Sequence, residues 1–226
     1  MKKILLFIAA ITIFSCGKDK VVLLPEISQS EITEIQDVSP AYLFYDETQK
    51  DSIELNRKNL ISTTNWLVNV DKRLTLKQVI PHIKSLQEKK SNSSHKNKKS
   101  KNYFTCNDTS KKNLGFVEFT DVIYTEKRIV NILADNHLVP YNTLIIYFES
   151  LESMKIISFF DKINITHSNI QKLNNDIISL SKKENTTIKL CFDKNLTFKN
   201  YILIKSVLLH LINKEISISK EEFISN

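Results

Sequence analysis

The stretch that decides the fold occurs twice, as DKRLTLK at residues 71–77 and as DKNLTFK at residues 193–199, with five of the seven positions identical. Each copy follows a short apolar run and precedes apolar residues at helical spacing. A more distant copy, DNHLVPY at residues 135–141, keeps the Asp and the Leu three positions later. The sequence therefore predicts a repeated unit made of a strand, a turn that opens with Asp-x-x-Leu, and a helix.

Further elements are predicted around these copies from periodicity and capping patterns. The prediction begins with a hairpin of residues 42–45 and 52–56, a strand at 66–70, and a capping box of Thr75 and Gln78 that opens a helix containing Pro81. It continues with strands at 116–124 and 128–135 and with a helix that begins at Pro140 and continues through Leu144 to Leu151. The remaining elements are a hairpin of 156–160 with 163–165, a capping box of Ser168 and Gln171 that opens another helix, a strand at 187–193, a helix at 201–212 and a last strand at 216–218.

The first sixteen residues have the pattern of an exported lipoprotein. Lys2 and Lys3 precede an apolar run of eleven residues, 4–14, and Cys16 follows. A membrane span needs about 20 apolar residues, so residues 1–15 are predicted to be a signal peptide. Cys16 is similarly placed to the lipidated cysteine of bacterial lipoproteins. The alternatives are a cleaved secretory signal with an incidental cysteine, or a cytosolic protein with a buried N-terminal helix.

Residues 16–39 are then predicted to be a lipid-anchored tether, because they lack sustained periodicity. Gly17, where inner-membrane lipoproteins carry Asp, favours the outer membrane. The run GKDK at residues 17–20 is similar to charged export tethers of Bacteroidota lipoproteins. Both the periplasmic and the surface-facing orientation stay open.

The composition excludes several classes of site. Of the 226 residues, 42% are hydrophobic, which suffices for one large or two small domains. The two glycines, Gly17 and Gly115, stand in no glycine-rich phosphate-binding motif. The five histidines have no metal-ligand spacing, so no cofactor or metal is predicted. Cys106 and Cys191 either form a disulfide or are two free thiols.

The net charge of +7 is concentrated in one segment. Eight lysines and a single acid, Asp108, lie between residues 89 and 112. The interval 88–113 is therefore predicted to be a mobile, lysine-rich loop. Its residues Lys96, Lys98, Lys99 and Lys101 are candidates for binding anionic headgroups or wall polymers, with a plain solvated loop as the alternative. Because the basic charge is local, no nucleic-acid partner is expected.

The segment ILADNHLVPYNTL at residues 132–144 resembles the periplasmic domain of the ExbD/TolR family, as do the block 156–219 and the turn at residues 71–77. The resemblance covers residues 40–90 and 114–219. It implies an α+β fold of repeated β–α units with hairpins, forming one or two small sheets covered by helices. It also implies two tandem domains, residues 40–155 and 156–226.

Members of that family are subunits of motors driven by proton-motive force, and their periplasmic domains dimerise and contact partner proteins or the cell wall. They carry a full membrane span with an embedded acid, which residues 4–14 do not provide. The resemblance therefore implies a docking module that takes no part in proton coupling. A homodimer is one assembly that the resemblance allows.

Two functions follow from these observations. The first is a non-catalytic, lipid-anchored module of the cell envelope that binds an envelope protein or a wall polymer through an edge strand, with residues 42–45 and 216–219 as the candidates. The second is an envelope hydrolase that uses Asp135 with Glu149, or Asp193 with His210. Three turn aspartates, Asp71, Asp135 and Asp193, are more simply explained as acceptors for turn amides, because an active site rarely needs the same acid at each copy of a turn.

Overall fold

The computed structural model describes residues 20–95, 97–134, 142–159, 162–181, 185–211 and 215–225. In these ranges the chain forms two mixed six-stranded sheets and four α-helices, which confirms the predicted α+β class. No helix in the described ranges is both long and apolar enough to cross a membrane.

The first sheet contains the first six strands of the chain, and the strands of the second sheet begin at residue 123. Its strands are β1 (Glu26–Ile27), β2 (Val38–Tyr45), β3 (Ile53–Asn56), β4 (Asn65–Val70), β5 (Asn102–Asp108) and β6 (Asn113–Glu118). The order is β1-β5-β4-β2-β3, and β6 also pairs with β5. Helix α1 (Leu76–Ser91) connects β4 to β5, and these two strands are parallel.

The second sheet contains the other six strands. They are β7 (Ile123–Glu126), β8 (Thr143–Phe148), β9 (Met154–Ser158), β10 (Asn164–Ser168), β11 (Thr186–Asp193) and β12 (Ile216–Ser225), in the order β10-β9-β8-β11-β12-β7. Three helices belong to this half: α2 (Ile129–Ala134), α3 (Leu173–Leu180) and α4 (Phe198–Leu209).

The two halves share one connectivity. In the first half β2 and β3 form a hairpin, β4 lies parallel to β2, and α1 leads to β5, which lies parallel to β4. In the second half β8 and β9 form the hairpin, β11 lies parallel to β8, and α4 leads to β12, which lies parallel to β11. The seven-residue repeat in the sequence is thus the most similar part of a longer structural repeat.

One hydrophobic core joins the halves. The ring of Phe104 from β5 stacks on the ring of Phe119, with 3.9 Å between the ring centres. It packs edge to face with Phe198 from α4, with 5.1 Å between the ring centres. On the other side Tyr201 contacts Phe192 at 5.0 Å, and all five aromatic side chains are buried. The last strand of the first sheet ends at residue 118, and the first strand of the second sheet begins at residue 123. The change from one sheet to the other thus comes earlier in the chain than the predicted domain boundary between residues 155 and 156.

Several predicted elements are confirmed. Both hairpins are present, as β2–β3 and as β9–β10. The capping box before α1 is also present, with Gln78 Oε1 accepting from the Thr75 backbone N–H at 2.8 Å. Pro81 lies within α1, which continues as one helix on both sides of it.

Two predictions around residue 135 are wrong. Residues 129–134 form helix α2 where a strand was predicted, and residues 143–148 form strand β8 where a helix was predicted. All six residues of β8 are buried, because α2 and the shared core cover both faces of the second sheet. A strand buried on both faces is a continuous apolar run, which periodicity does not distinguish from a buried helix.

This correction removes the third repeat unit. Asp135 itself lies outside the described residues, but the elements on either side of it are a helix and then a strand, in the reverse of the order seen around Asp71 and Asp193.

Three further expectations differ from the structure. The interval 88–113 contains the end of α1 and the whole of β5, a mostly buried strand that pairs with β4, so it is no continuous loop. The predicted tether, residues 16–39, contributes β1 to the first sheet, with Ile27 buried. Ser168 and Gln171 form no capping box: α3 begins at Leu173, and the Ser168 hydroxyl donates to Asp176 Oδ2 at 2.6 Å.

Candidate functional site

The Asp71 carboxylate is buried at the end of β4 and is fully occupied by hydrogen bonds. It accepts from Arg73 Nε and Nη2, each at 2.8 Å, from the Arg73 backbone N–H at 3.1 Å and from the Leu23 N–H at 3.2 Å. Burial alone would raise the pKa of Asp71, but these hydrogen bonds outweigh it and hold the pKa below its ordinary value. The carboxylate therefore fixes the turn and the incoming N-terminal segment.

Asp193 occupies the equivalent place at the end of β11. Its Oδ1 accepts from the Asn195 N–H at 2.8 Å, and the Tyr147 hydroxyl donates to its Oδ2 at 3.2 Å. Burial, followed by the charge of Asp193, raises the pKa of Tyr147. Both described turn aspartates thus accept the amide two residues ahead, which is the geometry of an Asx turn.

The two turns meet face to face and form reciprocal backbone hydrogen bonds. The Leu76 N–H donates to Leu196 O at 2.9 Å, and the Phe198 N–H donates to Leu74 O at 2.6 Å. Sequence reasoning identified both turns but not their contact, because nothing in either heptapeptide specifies a partner.

The lysine-rich segment is only partly a solvated surface. Lys90 is buried at the end of α1, and Lys101 pairs with Glu118 at 2.8 Å. Lys98 and Lys99 are exposed, and Lys96 lies outside the described residues. Of the three candidate lysines in the described residues, two are therefore exposed and one is held in an ion pair.

Lys90 is held by uncharged acceptors. Its ammonium donates to Thr64 O at 3.2 Å, to Lys101 O at 3.1 Å and to Asn102 Oδ1 at 2.8 Å, and it lies 4.9 Å from the centre of the Trp66 ring. Burial lowers the pKa of Lys90 to about 8. This side chain ties α1 to the starts of β4 and β5.

A second buried polar group links the last strand to α4. Glu222 accepts a hydrogen bond from the Tyr201 hydroxyl at 2.8 Å and forms an ion pair with Lys205. The Tyr124 hydroxyl from β7 lies 3.2 Å from that of Tyr201, whose pKa is raised by burial and by Glu222. Sequence reasoning missed this network, since Glu222 lies beyond the predicted end of the last strand.

The two described cysteines are free thiols in different sheets. Cys106 lies in β5 and Cys191 in β11, and both are buried. Burial raises the pKa of both thiols, that of Cys191 to about 12. Within the described ranges, no three His, Cys, Asp or Glu side chains come together as a metal site requires.

Three of the groups proposed for the hydrolase, Glu149, Asp193 and His210, lie in the described residues. Asp193 precedes α4 and His210 follows it, so the whole twelve-residue helix, which is about 18 Å long, lies between them in the chain. Glu149 binds Lys155 at 2.6 Å and the Ser153 hydroxyl at 2.7 Å, which engages both of its oxygens. Its proposed partner Asp135 lies outside the described residues.

The two candidate edge strands differ in their pairing: one lies inside the first sheet, and the other is paired with β11 but not with β7. Residues 42–45 belong to β2, which lies between β3 and β4. Residues 216–218 of β12 pair with β11, whereas β7 pairs with β12 along residues 221–224, beyond the candidate stretch 216–219. Among the described strands, β10 lies at one end of the second sheet and pairs with β9 alone, so its other side is a free edge. Its hairpin was predicted, but its position at the end of the sheet follows from the strand order.

Apolar side chains lie along the β10 edge. Ile163 is 54% exposed and Ile165 is 56% exposed. Ile165 pairs in register with Ile157 of β9, which is buried in the small cluster on the outer face of the second sheet. The edge thus continues a buried apolar face into solvent.

No protein-family model, curated protein or solved structure matches the chain.

Proposed function

We propose that the chain is a binding module of the cell envelope, lipid-anchored through Cys16, that docks a partner protein along the β10 edge. The observation that carries this proposal is that one side of β10 pairs with no strand of the described fold, and that Ile163 and Ile165 are exposed there. Edge strands of this kind pair readily with an extended segment of another chain, through main-chain hydrogen bonds and alternate side chains.

The charge around β10 indicates the chemistry of the partner. Residues 162–172 contain Lys162, His167 and Lys172 and no acidic residue. An extended segment with apolar residues at alternate positions and acidic residues beside them complements this edge in shape and charge. Two copies of the chain paired through β10 would bring like charges together, so the proposed occupant is a different protein.

The repeat supports the resemblance to ExbD/TolR periplasmic domains. Each half carries a hairpin, a strand that ends in Asp-x-x-Leu-Thr and a helix that leads to a further parallel strand. We propose that the chain is a duplicated domain of this kind and serves energised transport or envelope maintenance as an accessory. Proton coupling forms no part of the proposal.

The anchor would hold the module close to its membrane. The described fold begins at Lys20, whose ammonium donates to Asp46 at 2.8 Å and also binds Glu54. Four residues span at most about 14 Å, so a lipid on Cys16 would place the β2–β3 hairpin near the bilayer surface. The partner would then be an envelope protein at the same membrane.

The experiment is affinity capture after chemical crosslinking in native membranes, with the Cys16 anchor intact. Three forms are compared: the native chain, Ile165→Lys on the β10 edge, and Ile178→Lys on α3, where Ile178 is 57% exposed. A motor subunit or an outer-membrane transporter captured by the native chain and by Ile178→Lys, and lost from Ile165→Lys, supports the proposal. Capture of bulk lipoproteins alone, or of the same proteins by all three forms, contradicts it.

A further inference from the structure

The junction of the two turns creates two equivalent pairs of lysines. The Lys77 N–H donates to Lys194 O at 2.7 Å, and the Lys199 N–H donates to Lys72 O at 3.2 Å. Lys72 and Lys77 occupy the same positions of the first heptapeptide as Lys194 and Lys199 do in the second. The pair Lys72–Lys199 on one side of the junction is therefore the structural equivalent of the pair Lys77–Lys194 on the other.

The protein provides its own anion for the first pair. Glu26 of β1 accepts a hydrogen bond from the Lys72 ammonium at 3.0 Å. That hydrogen bond lowers the pKa of Glu26, and the charge of Lys199 lowers it further. A carboxylate is thus already bound where two of the four lysines converge.

The second pair opens onto a cleft instead. Lys77 and Lys194 line a cavity of about 520 Å³, to which Arg128 adds a third cationic side chain. Among the described lining residues the one acid is Glu126, whose side chain is 66% exposed and lies 3.8 Å from Lys84. In the part of the chain that the structure describes, no carboxylate is bonded to Lys77 or to Lys194.

The cleft also has an apolar side. Leu76, Ile80, Pro81 and Ile224 complete its lining together with Asn131. A volume of this size suits a small molecule, and cationic groups beside an apolar wall suit an anion that is attached to an apolar moiety.

We infer that this cleft, with Lys77, Lys194 and Arg128 in its lining, is a binding site for a phosphate-bearing ligand. A phosphate group presents several oxygens to several cationic donors at once, and an Arg guanidinium can bind two of them. The site is independent of the β10 edge, which lies at the end of the second sheet remote from β7. A soluble phosphorylated compound and a lipid headgroup share this chemistry.

The test uses a matched pair of double variants in the full chain. Lys77→Gln with Lys194→Gln removes two charges from the cleft, whereas Lys72→Gln with Lys199→Gln removes two charges from the equivalent pair. Inorganic pyrophosphate binding is measured by calorimetry, and retention on phosphatidylglycerol vesicles is measured by co-sedimentation, with Cys16→Ser in every form so that no lipid anchor holds the chain on the vesicles. Thermal unfolding of each variant confirms that it is folded.

The inference predicts binding that weakens about tenfold or more in the cleft variant and stays unchanged in the control variant. Binding of pyrophosphate assigns the site to a soluble phosphate ligand, and selective loss of vesicle retention alone assigns it to a lipid headgroup. Equal weakening in both double variants would show a general effect of charge and would overturn the inference. Absence of binding to either probe would overturn it as well.

Discussion

Thr75 and Thr197 lie opposite each other in an antiparallel bridge, where each immediately precedes the helix of its half. Around them the two DKxLTxK turns exchange four backbone hydrogen bonds. The residues that mark the repeat in the sequence are therefore the residues through which the halves are joined, and the halves are expected to unfold together.

Trp66, the only tryptophan, tests this coupling because it lies buried in β4 of the first half. Phe198→Ala, in α4 of the second half, deletes a buried ring that contacts Phe104. We expect the urea midpoint followed by Trp66 fluorescence to fall, with a loss of about 3–5 kcal/mol in the free energy of unfolding. A Trp66 transition that stays in place while circular dichroism shows a second, earlier one would contradict a shared core.

Asp71→Asn is expected to destabilise the fold in a pH-dependent way. The folded pKa of Asp71 lies below the ordinary value of 3.8, so the carboxylate stabilises the fold above pH about 4 and loses that contribution as the pH falls through the folded pKa. The difference in free energy of unfolding between the native chain and Asp71→Asn should be about 2 kcal/mol at pH 7 and smaller at pH 3. Asp193→Asn, at the equivalent position, is the control for the turn itself. If the difference in free energy of unfolding between the native chain and Asp71→Asn were the same at pH 7 and pH 3, the lowered pKa of Asp71 would be contradicted.

Lys90 predicts a dependence of the same sign at high pH, namely a stability that rises with pH. Its pKa is about 8 in the folded chain and 10.5 ordinarily, so between these values the unfolded chain binds more protons and stability rises with pH. Relative to Lys90→Met, the native chain should gain about 2 kcal/mol in free energy of unfolding from pH 8 to pH 10.5. Parallel curves for the two forms would show that Lys90 titrates normally and is not desolvated.

Gly115 is required by a close approach of the N-terminal segment to β6. A Cβ at this position would lie 2.6 Å from Ser30 Cβ and 3.0 Å from Ile27 Cδ1. Ser30 cannot withdraw freely, because its N–H donates to Asp108 Oδ2 at 2.7 Å. Gly115→Ala is expected to lower the free energy of unfolding by about 1–3 kcal/mol, measured by urea denaturation. Ser30→Gly in the same chain should recover part of the loss, and failure to do so would place the strain elsewhere.

The sequence predicted the elements whose patterns are local. The hairpin of β2 and β3 and the capping box of Thr75 and Gln78 depend on neighbouring residues, and both are present. The errors fall where tertiary burial decides, as in β8, which is apolar at every position because both faces of its sheet are covered. Polar lysine-rich flanks likewise obscured the apolar residues of β5.

The same distinction holds for the sites. Residues 163–165 were predicted as a returning strand, but whether that strand is an edge depends on the order of six strands. The cleft between Lys77 and Lys194 depends on two turns that are distant in the chain and meet only in the fold.

The β10 edge is tested most directly by a photo-crosslinking amino acid placed at Ile165 and, separately, at Ile178, in cells that carry the lipid-anchored chain. The account predicts a discrete adduct with one envelope protein from position 165 and none from position 178, although the two side chains are equally exposed. Because a strand added at this edge contacts every second side chain, the crosslinking amino acid at position 163 should give the same adduct. An adduct of twice the chain's mass would make the occupant a second copy, and equal labelling from positions 165 and 178 would contradict docking at this edge.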